Sequence, residues 1–156
     1  MDDRCLEDID DWSLVDSGIE DGTVLVVIKK QKLLRVLTAS GDASAKIWNS
    51  ATGDCLQTLS GHTDAVHTAV FSGDGSSVLT ASNDGTAKIW TTATGECVHT
   101  FSGHDGLVKS AEFSEDGSSV LTTSNDGTAR IWNVATGECT RTIPVHHGLA
   151  RSAVFS

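Results

Sequence analysis

Short runs of apolar residues follow one another along most of this chain, and small polar residues or glycine separate them. Val66 to Phe71, Ser77 to Ala81 and Thr86 to Trp90 are three such runs, and Asp74-Gly75 lies between the first two. Runs of this length, rich in valine, isoleucine and threonine, predict strands. An Asp-Gly pair predicts a hairpin turn, because it tolerates the positive φ that such turns require. The pattern therefore predicts an all-β chain of short antiparallel strands.

One stretch of the chain, Ser82 to Trp90, returns almost unchanged as Ser124 to Trp132 and more loosely as Ser40 to Trp48. The tryptophans that end these copies are 42 residues apart in both steps. Gly-His precedes the second and third copies. A fixed period near 40 with these marks is typical of propeller blades. The repeat region divides into units at 23–60, 61–102 and 103–144, and the start of a next unit at 145–156.

These units resemble the WD-repeat family over residues 23–156, although Trp48, Trp90 and Trp132 precede asparagine or threonine and never aspartate. The resemblance implies a partial β-propeller, with three four-stranded blades plus the first strand of a fourth around a channel. We expect the first strand of the first unit at Thr23 to Ile28, and the first strand of the fourth within Gly148 to Ser156, which stops at Ala153-Val154-Phe155-Ser156.

The resemblance also implies a structural tetrad of histidine, threonine, aspartate and tryptophan inside each blade. A buried imidazole and a buried carboxylate both need hydrogen-bond partners, so a chain of bonds through these side chains would pin the turn between the second and third strands. The first unit has Glu20 in the place of the histidine, so we expect this unit to be the least firmly held. The tetrad positions are His62, Thr80, Asp84 and Trp90; His104, Thr122, Asp126 and Trp132; and Thr38, Asp42 and Trp48.

A hydroxyl, a histidine and an aspartate could also form a catalytic triad. That interpretation is disfavoured, because a nucleophile must be exposed beside a pocket and this set recurs in each well-formed unit. The chain is therefore predicted not to be an enzyme. No phosphate-binding loop appears, Cys55, Cys97 and Cys139 lie one period apart rather than in zinc-ligand spacing, and no cofactor or metal is expected.

The loop after each histidine varies between units while the turns stay constant. Variable loops on a rigid scaffold are typical of a binding surface. In the family, these positions on the top face often contact partners. The candidate partner-binding residues are Ala65, His67, Asn83, Leu107, Lys109, Asn125, Leu149 and Arg151.

The net charge of −10 is concentrated at the start of the chain. Residues 1–22 carry nine acidic side chains and one basic one, so this segment is predicted to be an acidic, flexible leader. Residues 23–156 are nearly neutral, which argues against nucleic acid as a partner. No secretory signal or membrane span is expected, and this favours the cytoplasm or nucleus.

These features predict a non-catalytic scaffold or adaptor that binds other proteins or peptides through its top-face loops. The alternatives are a structural fragment without an independent partner and, less favoured, an enzyme with a site in the channel. Three blades and one strand would leave blade faces open. Two explanations remain: the chain is a piece of a longer propeller, which is favoured, or two copies close one ring.

Overall fold

The computed structural model describes residues 12–14, 27–29, 34–145 and 150–156, and its elements are all strands. The chain divides into two compact units, 1–34 and 35–156. In the first unit, β1 (Trp12–Leu14) pairs antiparallel with β2 (Val27–Lys29). The predicted acidic leader, residues 1–22, lies outside the described residues except for β1.

The second unit contains three antiparallel sheets, in each of which consecutive strands are neighbours. We call them blade 1 (β3–β5), blade 2 (β6–β9) and blade 3 (β10–β13). Their strands are β3 (Arg35–Ala39), β4 (Ser44–Asn49), β5 (Cys55–Ser60), β6 (Val66–Phe71), β7 (Ser77–Ser82), β8 (Thr86–Thr91), β9 (Cys97–Ser102), β10 (Val108–Phe113), β11 (Ser119–Ser124), β12 (Thr128–Asn133) and β13 (Cys139–Pro144).

The predicted strands and turns of the second and third units appear in the structure with the same register. Val78 pairs with Trp90 in blade 2, and Val120 pairs with Trp132 in blade 3. Gly75, in the Asp-Gly turn, has a φ of 70°, as the hairpin requires. The sequence repeat therefore corresponds to sheets whose strands pair at equivalent residues.

Two details of the strand prediction differ from the structure. Where a first strand of the first unit was expected, β2 pairs with β1, and blade 1 has three strands in the described part of the chain. Residues 153–156 form no strand, because these residues have no hydrogen-bonded neighbour strand among those described. A strand depends on its pairing partner as much as on its own sequence.

The apolar core lies between the blades. One cluster joins the face of blade 1 that carries Ile47 and Leu59 to Val78 and Trp90 of blade 2. A second cluster joins Phe101 of blade 2 to blade 3. Because blade 2 buries one face against blade 1 and the other against blade 3, the three sheets pack face to face in the order of the repeat.

Candidate functional site

A chain of buried hydrogen bonds runs through blade 2. His62 lies with Nδ1 2.7 Å from Oδ2 of Asp84 and Nε2 2.7 Å from Oγ1 of Thr80. The indole N–H of Trp90 donates to the same Thr80 oxygen at 2.9 Å. With an ionised Asp84, the proton lies on Nδ1, and Nε2 accepts the hydroxyl proton of Thr80. Each of the four side chains thus has a partner.

Asp84 holds this chain of bonds at the turn between β7 and β8. Its two oxygens accept the backbone N–H groups of Thr63 and Thr86 at 3.1 and 2.9 Å, and the Thr86 hydroxyl at 2.7 Å. Burial alone would raise the pKa of Asp84, but the hydrogen bonds from Thr86, His62 and the two backbone groups lower it to about 2. The carboxylate is therefore ionised at neutral pH and stabilises the turn.

Blade 3 contains the same arrangement. His104 lies 2.8 Å from both Asp126 and Thr122, and Trp132 donates to Thr122 at 2.8 Å. Hydrogen bonds again outweigh burial and lower the pKa of the Asp126 carboxyl.

Blade 1 has only part of this arrangement. Trp48 donates to Thr38 at 2.9 Å, but Asp42 accepts hydrogen bonds from Ser44 within its own turn. Glu20, which was expected in the place of the histidine, lies outside the described residues. Ala43 has a φ of 67° where Gly85 has 83° in blade 2, a conformation that is unfavourable for a residue with a Cβ atom. The turn of blade 1 is therefore less well stabilised.

The tetrad side chains are placed to hold the blades rather than to react. His62 is 7% exposed and Thr80 is fully buried. Thr80 donates its proton to His62 and accepts from Trp90, which leaves its oxygen enclosed within the blade. A nucleophile needs access to its substrate, so this geometry does not suit a catalytic triad.

Three of the candidate partner-binding residues come together at the end of the blades where the tetrad turns lie. Nε2 of His67, near the start of β6, lies 2.6 Å from Oδ1 of Asn83 in the β7–β8 turn. Nζ of Lys109, near the start of β10, lies 2.8 Å from the same His67 nitrogen and 2.9 Å from the same Asn83 oxygen. We call these three residues the rim cluster. It joins blade 2 to blade 3.

The Lys109 ammonium has three N–H donors, and the rim cluster gives it two partners, Nε2 of His67 and Oδ1 of Asn83. A protonated Nε2 of His67 can donate to Asn83 but then meets the Lys109 ammonium, which is also a donor. An unprotonated Nε2 can accept from Lys109 but then meets the Asn83 oxygen, which is also an acceptor. In either tautomer, the cluster offers the positive charge of Lys109 to an additional acceptor. A carboxylate is the acceptor that such a site suits best.

The other five candidates do not join this cluster. Ala65 is partly buried, and its carbonyl accepts the backbone N–H of Asn83, whereas the carbonyl of Leu107 accepts that of Asn125. Leu107 is 36% exposed, and Arg151 is exposed. The buried side-chain oxygen of Asn125 has no hydrogen-bond partner among the described residues. Leu149 lies outside the described residues.

The repeat region was compared with models of known protein families. A family model described as "WD domain, G-beta repeat" matches residues 53–91 and 95–133, which together make up half of the chain. The chain belongs to the WD40 repeat family. No curated protein matches it. The expected all-β WD-repeat fold is thereby confirmed.

WD40 repeats generally act as protein-interaction scaffolds and are typically not enzymes. In the described part of this chain, no three histidine, cysteine or acidic side chains form a group that could hold a metal ion. No helix among the described residues is long and apolar enough to cross a membrane. The three described cysteines, Cys55, Cys97 and Cys139, are free and exposed.

Two residues that support the tetrads were missed in the sequence analysis. The hydroxyls of Thr86 and Thr128 donate to Asp84 and Asp126 at 2.7 Å in both blades. Their signal is present in the sequence, since Asp-Gly-Thr occurs at the same place in both WD40 repeats. A threonine two residues after a turn aspartate can bond to its carboxylate, as in an Asx turn.

The tetrad histidines should make stability depend on pH. Burial lowers the pKa of His62 and His104 below 6.5, so both are neutral when folded at neutral pH, whereas the unfolded chain binds protons more readily. Their contribution is complete above about pH 6.5 and is lost as the pH falls through the lowered folded pKa values. We expect the free energy of unfolding to fall as the pH is lowered from about 7 through about 6.5 and below, by at most about 1.4 kcal/mol per pH unit for each histidine.

Urea unfolding at a fixed chain concentration over this pH range measures the effect. The His62→Gln variant removes one of the two groups and should show a shallower dependence. A free energy of unfolding that is constant or rises on acidification would contradict neutral, buried tetrad histidines.

Proposed function

We propose that this chain is a non-catalytic scaffold or adaptor that binds acidic segments of partner proteins through its rim cluster and the adjacent loops. The observation that carries the proposal is the position of Lys109, whose ammonium lies 2.8 Å from His67 and 2.9 Å from Asn83 across two blades. The two blades hold the donors in place before binding, which lowers the entropy that a ligand must overcome. A peptide carboxylate supplies the acceptor that the cluster lacks.

Neighbouring exposed positions define the rest of the proposed binding surface. Leu107, two residues before Lys109, offers exposed apolar area. Arg151 provides a second positive side chain one period after Lys109. Ala65, Asn125 and Leu149 remain proposed members of the same surface by their place in the repeat. An acidic residue followed or preceded by an apolar one is the peptide chemistry that matches this combination.

A randomised peptide library captured on the full chain tests this function, with Lys109→Ala as the test variant. We expect the captured peptides to be enriched in aspartate and glutamate, and their affinity to fall about tenfold or more in the variant, because a hydrogen bond to a charged group contributes about 1.5–3 kcal/mol. Binding should also weaken as the salt concentration rises.

Lys88→Ala is the matched control, since it removes the same charge from blade 2, where the Lys88 amine donates to Thr100. It should bind the library as the unmodified chain does. Capture that is equal in all three chains, or peptides without acidic enrichment, would contradict the rim cluster as the binding site. The alternative of a structural fragment with no partner predicts no enrichment at all.

The ring is proposed to be completed by a partner, either further blades in a longer chain or a second copy that forms a homodimer. Proteins and peptides are the proposed ligands, and neither nucleic acid nor a membrane is included among them. A cytoplasmic or nuclear location is proposed, and the free thiols of Cys55, Cys97 and Cys139 support it because thiols persist in reducing compartments.

A further inference from the structure

The contact between neighbouring blades is built twice in this chain from residues one period apart. Each blade presents one face to the blade before it and another to the blade after it, which we call its upstream and downstream faces. The downstream face of blade 1 packs on the upstream face of blade 2, and blade 2 packs on blade 3 in the same way. The first contact contains Ala45, Ile47, Leu59, Val78 and Trp90, and the second contains Ala87, Ile89, Phe101, Val120 and Trp132.

Blade 3 carries a third copy of the downstream face. Ile131 and Ile143 stand one period after Ile89 and Phe101, and Ala129 one period after Ala87. Ile143 is 36% exposed, although the equivalent side chain of each earlier blade is 1% exposed. The last described segment, around Ala150, covers part of this face beside Ala129 and leaves β13 uncovered. Among the described residues, the downstream face of blade 3 is therefore only partly covered.

Blade 1 carries a third copy of the upstream face. Val36 is 46% exposed, whereas its equivalents Val78 and Val120 are fully buried. Trp48 is only partly buried, while Trp90 and Trp132 are each 2% exposed.

The glycine in the last turn of each blade also shows whether a preceding blade covers the upstream face. A Cβ atom at Gly95 would meet the Gln57 side chain of blade 1 at 3.0 Å, and one at Gly137 would meet the His99 side chain of blade 2 at 3.5 Å. At Gly53, the equivalent turn of blade 1, no described atom lies within 4 Å. In the other two contacts a side chain from the preceding blade fills this position, and no described residue fills it in blade 1.

We propose that a second copy of this chain occupies both faces, with blade 3 of each copy packed on blade 1 of the other. The two faces are complementary because both belong to one repeat that already forms this contact twice. Three blades from each copy make a ring of six, within the range of about four to eight blades that close. Closure covers both apolar faces, and the two equivalent contacts, related by a two-fold axis, leave no free end.

Equivalence within the repeat specifies the new contacts. Ile143 lies against Trp48 of the partner subunit, as Phe101 lies against Trp132 with ring centroids 5.5 Å apart. Arg141 stands one period after His99 and two after Gln57, so its side chain fills the open position at Gly53 of the partner subunit. Gln57 donates to the backbone oxygen of Ala93 at 3.0 Å, and Arg141 has the equivalent acceptor in Ala51 of the partner subunit.

Light scattering after size-exclusion chromatography of the full chain tests the ring. We expect one species with twice the 16.4 kDa mass of a single chain, constant over a wide dilution range. A monomer throughout that range would overturn the proposal and favour further blades in a longer chain. Masses that rise steadily with concentration would overturn closure after two copies.

Substitutions then test which faces meet. Ile143→Asp and Val36→Asp should each give a monomer. Each contact between the copies contains Ile143 of one copy and Val36 of the other, so either substitution changes both contacts. Val98→Asp is the matched control, because Val98 is 51% exposed and belongs to neither interblade cluster, and it should remain a dimer. The assignment would be overturned if only Val98→Asp lost the dimer, or if all three variants remained dimers.

Mixing the two monomeric variants separates a blocked face from a failed fold. The unmodified blade 3 of Val36→Asp can still pack on the unmodified blade 1 of Ile143→Asp. We expect the mixture to recover the mass of two chains through this one intact contact. A mixture that stays monomeric, while each variant keeps the near-ultraviolet signal of its buried tryptophans, would overturn the head-to-tail pairing.

Discussion

Trp90→Ala is expected to lower the free energy of unfolding by about 3–5 kcal/mol, the largest loss for any single substitution considered for this chain. Trp90 is 2% exposed and packs between blades 1 and 2 against Ile47, Leu59 and Val78. Removal of the indole leaves a cavity in this contact and also removes the donor to Thr80. Since domains are stable by only about 5–15 kcal/mol, the change should be evident in a urea unfolding curve at fixed chain concentration.

Trp48→Ala is the matched control, because it deletes the same side chain from the same place in the repeat. Trp48 makes the same hydrogen bond to its threonine at 2.9 Å but is only partly buried. In the monomeric Ile143→Asp background, where no partner blade covers Trp48, the loss from Trp48→Ala should therefore be clearly smaller than the loss from Trp90→Ala in the same background. Trp90→Phe keeps most of the packing and loses the indole N–H. Its free energy of unfolding should therefore lie between those of the unmodified chain and Trp90→Ala. Equal losses at Trp48 and Trp90 would contradict burial between blades as the source of the effect.

The strands of blades 2 and 3 could be predicted from the sequence because local and repeated signals agree there. Asp74-Gly75 sets one turn, and alternating apolar residues set the face of each strand. The same pattern occurs again 42 residues later, so each strand is predicted twice. When turn chemistry, alternation and period agree, the pairing register follows without any knowledge of distant contacts.

The details that the sequence did not predict depend on distant partners. β2 contains the apolar run expected for blade 1 but pairs with β1, and no local property of Val27–Lys29 distinguishes the two pairings. Residues 153–156 have the sequence of a strand but no described neighbour strand to bond with. In both cases, the outcome depends on which edge is available rather than on the residues themselves.

The rim cluster was predictable as a set of candidates and not as a contact. Variation between the repeats identified His67 and Lys109, and the turn position identified Asn83. Their meeting requires the stacking angle of two blades, which brings Lys109 to a residue 42 positions earlier. The tetrads are different, because the pattern of residue types already implies the order of their hydrogen bonds.

We infer that buried polar tetrads hold blades 2 and 3 as a rigid frame for the binding rim. Comparison of Asp84→Ala with Asp42→Ala tests this inference. Asp84 accepts bonds from His62, Thr63 and Thr86, so its removal leaves the buried imidazole N–H with only the more distant Thr86 hydroxyl, at 3.4 Å. This should lower the free energy of unfolding by about 1–3 kcal/mol.

Asp42 accepts only local bonds from its own exposed turn among the described residues, so Asp42→Ala should cost clearly less. The measurement is urea unfolding of both variants and the unmodified chain under the same conditions. We expect a lower urea midpoint for Asp84→Ala than for Asp42→Ala, with an unchanged slope. Equal midpoints, or a larger loss at Asp42, would contradict the tetrad as the element that holds the blades.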